Sequence, residues 1–336
     1  MIHHGFQYKI GENVLIGGFN SNGNCKPGGF YICDLEDVCQ WLNLHSKMRT
    51  ICEVILFKES ILVKQYRKYK TDRFILQNPL PIADFLEKHN LYKQAVQKRG
   101  IYIQYIANPS EEIQIMAIQE DWHAIKLIKN PSEKVQMVAI KRDGYAISHF
   151  ENPSLEFRIE AVQQDGHSIR FIKNPSEEVQ MAAVQKNGSA IEYIKNTSKE
   201  VQMAAVRNRG CAIEYIKNPP KEMQIAAVKQ CGLAIKYIEN PSEEVQIAAV
   251  QESAHSIGDL KNPSIEVQMA AVQRNGYVIG NISNPSEQVQ MAAVMQNVHA
   301  IEHIKNPSEK VKKLANKLCG FHSGESSEED QFADIN

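Results

Sequence analysis

Asn174-Pro-Ser-Glu-Glu-Val-Gln-Met-Ala-Ala-Val-Gln-Lys-Asn-Gly-Ser-Ala-Ile-Glu-Tyr-Ile-Lys195 is one copy of a unit that returns without insertion or deletion. Its leading asparagine stands at 108, 130, 152, 174, 196, 218, 240, 262, 284 and 306, always 22 residues apart. A degenerate copy precedes the series, since Ala95-Val96 and Ile103/Ile106 fall in register with Ala117-Ile118 and Ile125/Ile128. Repetition at so short a fixed period marks an array in which each unit packs only on its neighbours.

The unit reads as two short helices. Asn174 is placed to cap the first, Pro175 suits its first position, and Glu177 stands where a capping-box acid would. Val179-Gln-Met-Ala-Ala-Val184 carries the helix to about Lys186 or Asn187. Gly188 fits a left-handed C-cap. Ala190-Ile191 and Ile194 form one face of a shorter second helix, which the next Asn-Pro ends. Thr197 replaces the proline of one unit; Trp122, Ala254 and Val298 replace the glycine; Arg158 and Lys312 replace the recurring glutamine.

A single unit cannot stand alone. Its half-dozen aliphatic side chains supply about 1.5–3 kcal/mol each when large, whereas ordering each residue costs about 1–2 kcal/mol. Stacking closes that gap. The expectation is a mainly α fold, a right-handed-type solenoid of ten or so two-helix repeats, with Ala182-Ala183 letting first helices approach closely. At about 8–10 Å per helix contact the array would be a rod or superhelix roughly 80–100 Å long.

The pattern N-P-[ST]-x-E-V-Q-x-A-A-V resembles the short helical repeats of the leucine-rich repeat variant class. It is closer still to an uncharacterised repeat of bacterial and giant-virus proteins. That resemblance covers about residues 108–319 and implies a helical solenoid without enzymatic activity.

Residues 1–85 lack the repeat and read as a small α+β domain. Strands are expected at Phe6–Ile10, Val14–Ile16, Phe30–Cys33, Thr50–Leu56, Ile61–Val63 and Arg73–Leu76. A helix is expected from Asp34, its cap, to Leu42, and another over Ala83–Lys88. The solenoid then occupies 86–320, with 86–107 as a degenerate cap, and 321–336 form an acidic, disordered tail. The motifs Phe19-Asn20, Gly23, Cys25, Pro27-Gly-Gly-Phe-Tyr31, Leu35-Glu-Asp37 and Lys70-Thr-Asp-Arg-Phe-Ile-Leu76 resemble the N-terminal domain that mimivirus-type giant viruses place before repeats. Joined to the array, they are similar to a giant-virus repeat protein, a family that brings context and no catalytic residues.

Composition narrows the function. The 336 residues carry 38 Lys+Arg and 39 Asp+Glu, a formal net charge of −1 that argues against bulk capture of nucleic acid or acidic lipid. No run of 18 apolar residues exists to cross a membrane, and no secretory leader is visible. Seven scattered cysteines suit reduced thiols in a cytoplasm better than a disulfide framework.

Chemistry-bearing patterns are weak. The Gly-rich loop from Gly17 to Gly29 lacks any phosphate-binding spacing and reads as a turn. Cys25, Cys33, Cys39 and Cys52, with His3, His4 and His45, contain no C-x-x-C, so no metal or cofactor is expected. Lys64, Arg67, Lys68, Lys70 and Arg73 interleave with Tyr66 and Tyr69, either as a solvated strand face or as a single-strand nucleic-acid patch. His123, His167, His255 and His299 share one unit position and lie too far apart to share an ion. The glutamines at 114, 136, 180, 202, 224, 246, 268 and 290 are expected to bond the adjacent turn and knit the spine.

Function should therefore lie where the solenoid leaves residues free. Phe171, Tyr193, Tyr215 and Tyr237 share one unit position, near Glu192, Glu214 and Lys236, while Tyr145 and Tyr277 follow the unit glycine. This stripe reads either as inter-repeat packing or as a protein-binding surface. The leading expectation is a non-enzymatic scaffold for a protein partner, host or viral, in the cytoplasm or the particle. The alternative is an enzyme or nucleic-acid module in residues 1–85, with His45, Glu53 and Arg73 as its isolated candidates and the solenoid as adaptor.

Overall fold

A computed structural model describes residues 2–3, 6–7, 10–14, 30–41, 50–65 and 67–323. The Gly-rich loop with Cys25, most of the N-terminal motif, His45, Tyr66 and the acidic tail beyond residue 323 lie outside the described residues. The chain divides into two compact units, Met1–Glu151 and Asn152–Asn336.

The first unit opens with short antiparallel strands. β1 (Ile2–His3) pairs with β2 (Phe6–Gln7), the described start of the expected Phe6–Ile10 strand, and Ile10 lies in a bend. β3 (Gly11–Val14), β5 (Thr50–Ile55) and β8 (Arg73–Pro81) form one sheet in the order β3-β8-β5. β4 (Phe30–Ile32), β6 (Leu62–Gln65) and β7 (Lys68–Thr71) form another in the order β4-β7-β6. β7 was not foreseen, because its run Lys-Tyr-Lys-Thr shows no apolar alternation. The helix after Asp34 is a 3₁₀ turn (Leu35–Asp37) leading into Val38–Trp41, and Asp34 does not cap it. Its carboxylate instead accepts a hydrogen bond from the Tyr69 hydroxyl at 2.9 Å.

From Ile82 onward the chain is helical: an α-helical solenoid follows the small α+β part. Each repeat from Asn108 to Lys305 holds a ten-residue α-helix, such as Glu177–Lys186, and a six-residue 3₁₀ helix, such as Gly188–Tyr193, and the last ends in one longer helix, Glu309–Ser323. Val179, Ala183 and Val184 of the first and Ala190 and Ile191 of the second are buried, and the repeats from Asn196 to Asn262 bury the same positions, while Ile301 of the next is half-buried.

Three details of the unit differ from expectation. Serine, not asparagine, is the N-cap: Ser198 Oγ accepts from the Val201 N–H at 3.2 Å, and Ser110, Ser132 and Ser154 act alike. The asparagine is left-handed instead, with φ of 46° at Asn174 and similar values from Asn130 to Asn284. Asparagine tolerates that region because its short polar side chain bonds locally, and the turn ends one repeat and starts the next. Proline consequently stands outside the helix, ahead of the serine.

Glycine is needed for space rather than for a left-handed bend, since Gly11 alone among the described glycines has positive φ. A Cβ on Gly188 would sit 2.4 Å from the Ala205 carbonyl oxygen of the next repeat. The glutamine, finally, bonds within its own unit. Gln180 Nε2 donates to the Pro175 carbonyl at 3.0 Å, and Gln136, Gln224, Gln246 and Gln268 do the same. Knitting between repeats falls to other groups: Glu177 accepts from Ser198 Oγ of the next unit, and Asn208 accepts from the Gly188 N–H at 2.7 Å.

Candidate interaction surfaces

Because each repeat places the same position at the same point of its frame, side chains the core does not use line up in rows. The 3₁₀ helices carry the aromatic row. Phe171, Tyr193 and Tyr215 are 40%, 39% and 44% exposed, and Tyr237 is half-buried. Each ring is propped by a neighbour. Tyr193 meets His167 of the preceding repeat edge-on at 5.8 Å between centroids. The Arg170 guanidinium stands 4.7 Å from the Phe171 ring centre and the Lys236 ammonium 4.7 Å from that of Tyr237. Burial and then the carboxylates of Glu192 and Glu214 hold the Tyr215 hydroxyl above the usual tyrosine range, so it stays a donor. Tyr277, 43% exposed, meets His303 edge-on at 5.4 Å. Tyr145, in the other compact unit, is half-buried. Packing between repeats and exposure to solvent thus coexist on the same rings.

The α-helices carry a second row. Met181, Met203, Ile225, Ile247, Met269 and Met291, each followed by an alanine, are half-buried at the edge of the core. One helical turn before the first five stand Glu178, Glu200, Glu222, Glu244 and Glu266, and Glu156 holds the same position a repeat earlier, all exposed. Among the described residues, Glu244 alone of these six is ion-paired, with Lys221. Met181, Met203 and Ala204 floor a depression of about 430 Å³, with Lys199, Glu200 and Arg207 on its walls. Carboxylates at the start of a helix favour the helix dipole, but that does not account for the apolar floor beside them. This row was missed in the sequence. Its signal was there: Val179, Met181, Ala182, Ala183 and Val184 make an apolar arc wider than one buried face requires.

The remaining candidates do not converge. Lys68 and Lys70, on the central strand β7 of the β4-β7-β6 sheet, are buried, at 5% and 0% exposure. Burial and the neighbouring Lys68 hold the Lys70 ammonium below the usual lysine range. Arg67 lies 3.9 Å from Asp37, Arg73 Nε donates to Asp72 at 3.0 Å, and Lys64 stands 6.0 Å from the Tyr69 ring centre. The five cations are therefore neither one solvated strand face nor one basic patch. Glu53 accepts from Asn78 at 2.6 Å and faces Lys88 at 3.5 Å, away from Arg73. Burial and then Asp37 and Asp34 push the Cys33 thiol up to about 11, far from a reactive thiolate. Among the described residues no group of three His, Cys, Asp or Glu could hold a metal ion, and no helix is long and apolar enough to cross a membrane. His123 and His167 each bond the aspartate two residues before them, at 2.9 and 3.2 Å.

Residues 176–219, two of these repeats, match a domain family of unknown function, DUF4116. The chain is also similar to an uncharacterized protein of Acanthamoeba polyphaga mimivirus, 39% identical over 51 residues. That likeness covers 15% of this chain and 37% of the relative's length. No solved structure matches the chain.

Proposed function

We propose that this chain is a non-enzymatic interaction scaffold that holds a protein partner on the repeats of residues 152–320. The observation that carries the reading is the row Phe171, Tyr193 and Tyr215, half-exposed at one position of a frame locked by inter-repeat hydrogen bonds. Large aromatic rings anchor interfaces, and a surface already ordered loses little entropy when a partner binds. The mimivirus likeness supports a viral setting, with a host or viral protein as the partner and the cytoplasm of the infected cell as the place of action.

The α-helical row favours a second placement of the same function. Its exposed glutamates attract cations, so the occupant that fits is a polypeptide segment that seats aliphatic side chains on the Met/Ile floor and sets Lys or Arg against the glutamates, clear of Lys199 and Arg207. The test is nuclease-treated capture from the native cell lysate with three baits: the parent, Tyr193→Ala/Tyr215→Ala, and Glu200→Lys/Glu222→Lys, each checked by its melting curve. A stoichiometric protein lost only with the tyrosine variant supports the aromatic row; one lost only with the glutamate variant moves the site to the α-helical face. Capture that survives both variants, or that nuclease abolishes, overturns the proposal.

A further inference from the structure

The array from 108 to 305 contains two cysteines, Cys211 and Cys231, and the fold brings them together. Their sulfurs lie 3.8 Å apart across the junction of adjacent repeats. The contact belongs to the frame. The residue after the unit glycine and the residue before the next unit glycine meet elsewhere too, as His167 Nδ1 and Asn187 Nδ2 do at 3.4 Å. Most other units fill the second of these positions with Asp or Asn, whose oxygen caps the 3₁₀ helix. Cys231 gives up that cap, since its 3₁₀ helix has no side-chain cap bond. The backbone is close as well: a Cβ on Gly210 would come 3.1 Å from Cys231 Cβ. Both thiols and Tyr237 pack at the edge of one apolar cluster, partly open to solvent.

We propose that Cys211 and Cys231 are an oxidisable dithiol, a modification site at which hydrogen peroxide closes a disulfide between the repeats that begin at Asn196 and Asn218. One thiolate attacks the peroxide O–O bond, giving a sulfenic acid and water. The second thiolate displaces the sulfenic oxygen, which leaves as water with the remaining protons. The sum is two thiols and one peroxide to one disulfide and two waters, the two electrons passing from sulfur to oxygen. The sulfurs close from 3.8 Å to a bond of about 2.05 Å, a shift within reach of side-chain rotation. Burial and then the neighbouring Cys231 hold the Cys211 thiol above its ordinary value, so closure quickens as pH rises. The bond staples two repeats that carry Tyr215 and Tyr237.

The full chain is treated with hydrogen peroxide in its native state, free thiols are blocked, and it is digested with trypsin without reductant. The expected product is a disulfide joining peptides 210–217 and 230–236, absent before treatment, reversed by dithiothreitol, and accompanied by a higher melting midpoint. Cys211→Ser should abolish it and leave a sulfenic acid at Cys231 trappable by dimedone, with the reduced melting curve unchanged. Peroxide that leaves both thiols free, over-oxidises them singly, or links either one to another cysteine as the main product overturns the proposal.

Discussion

At the scale of single residues, glycine and asparagine do different work from what their usual roles suggest. Gly188, Gly210, Gly232 and Gly276 each face an alanine carbonyl of the next repeat, where a Cβ would lie 2.4–2.6 Å from the oxygen. Gly258 sits at another unit position, and its nearest neighbour would be the Asn281 side chain at 3.8 Å. Gly188→Ala should therefore cost about 1–3 kcal/mol by forcing two repeats apart, whereas Gly258→Ala should be neutral or slightly stabilising. Chemical denaturation of both variants decides it, and equal stability would refute the close-approach reading. Nature's own Ala254 at a glycine position places the expected cost toward the low end. Asparagine and serine are both good N-caps, so the Asn-Pro-Ser run left the cap ambiguous by two residues. The left-handed φ, which asparagine tolerates better than other residues with a side chain, resolves it.

At the scale of the element, the α-helices that begin between Glu111 and Glu287 are tied at their start by one side-chain donor to the carbonyl of the residue after the asparagine, proline in all but Thr197. Arg158 shows that the donor, not the amide, is required, since its Nε reaches the Pro153 carbonyl at 2.8 Å. Gln180→Ala should then lose about 0.5–1.5 kcal/mol, and Gln180→Arg should recover most of it in the same unfolding assay. Helices are tied to one another by acids. Glu111 bonds Lys134 at 2.9 Å and Ser132 at 2.8 Å, and Glu287 takes Lys310 at 3.0 Å. Lys134 and then Ser132 hold Glu111 below the usual carboxylate range, and Ser308 and then Lys310 do so for Glu287. A depressed carboxylate contributes stability above the unfolded value of about 4.3, and that contribution is lost as pH falls through the lower folded value. Glu111→Gln and Glu287→Gln should lower the melting midpoint near neutral pH, and the deficit should shrink below about pH 4. A deficit independent of pH would show that charge plays no part.

At the scale of the molecule, stability is shared among neighbours. Ile213, 1% exposed, lies in a cluster that runs from Val184 to Ala249 across successive repeats. Ile213→Asp buries a carboxylate without a partner, and the transfer penalty of a buried charge far exceeds what one repeat contributes. The melt of this variant should fall sharply and lose its single transition, because the repeats on either side no longer stabilise each other. A single transition unchanged from the parent would refute the core assignment. The interaction reading belongs to this scale too, since neither row exists in one repeat. Tyr193 or Met203 alone is an ordinary half-buried side chain; stacked at one period, each becomes part of a continuous surface.

By itself the sequence determined the period, the helix pair, the buried Val, Ala and Ile positions and the aromatic row, because strict repetition prints the same packing choice many times. The second row was legible only in part: the wide apolar arc is visible in one repeat, but which side of it stays open depends on how neighbours stack. Tertiary structure alone decided the rest. It set the glycine's role, because the clash is with a carbonyl 17 residues away at Ala205. It buried Lys68 and Lys70, because the cover over one face of a sheet comes from distant parts of the chain that a linear reading does not place there. It brought Cys211 to Cys231, because a contact between repeats depends on the rise and turn of the stack, which no single repeat contains.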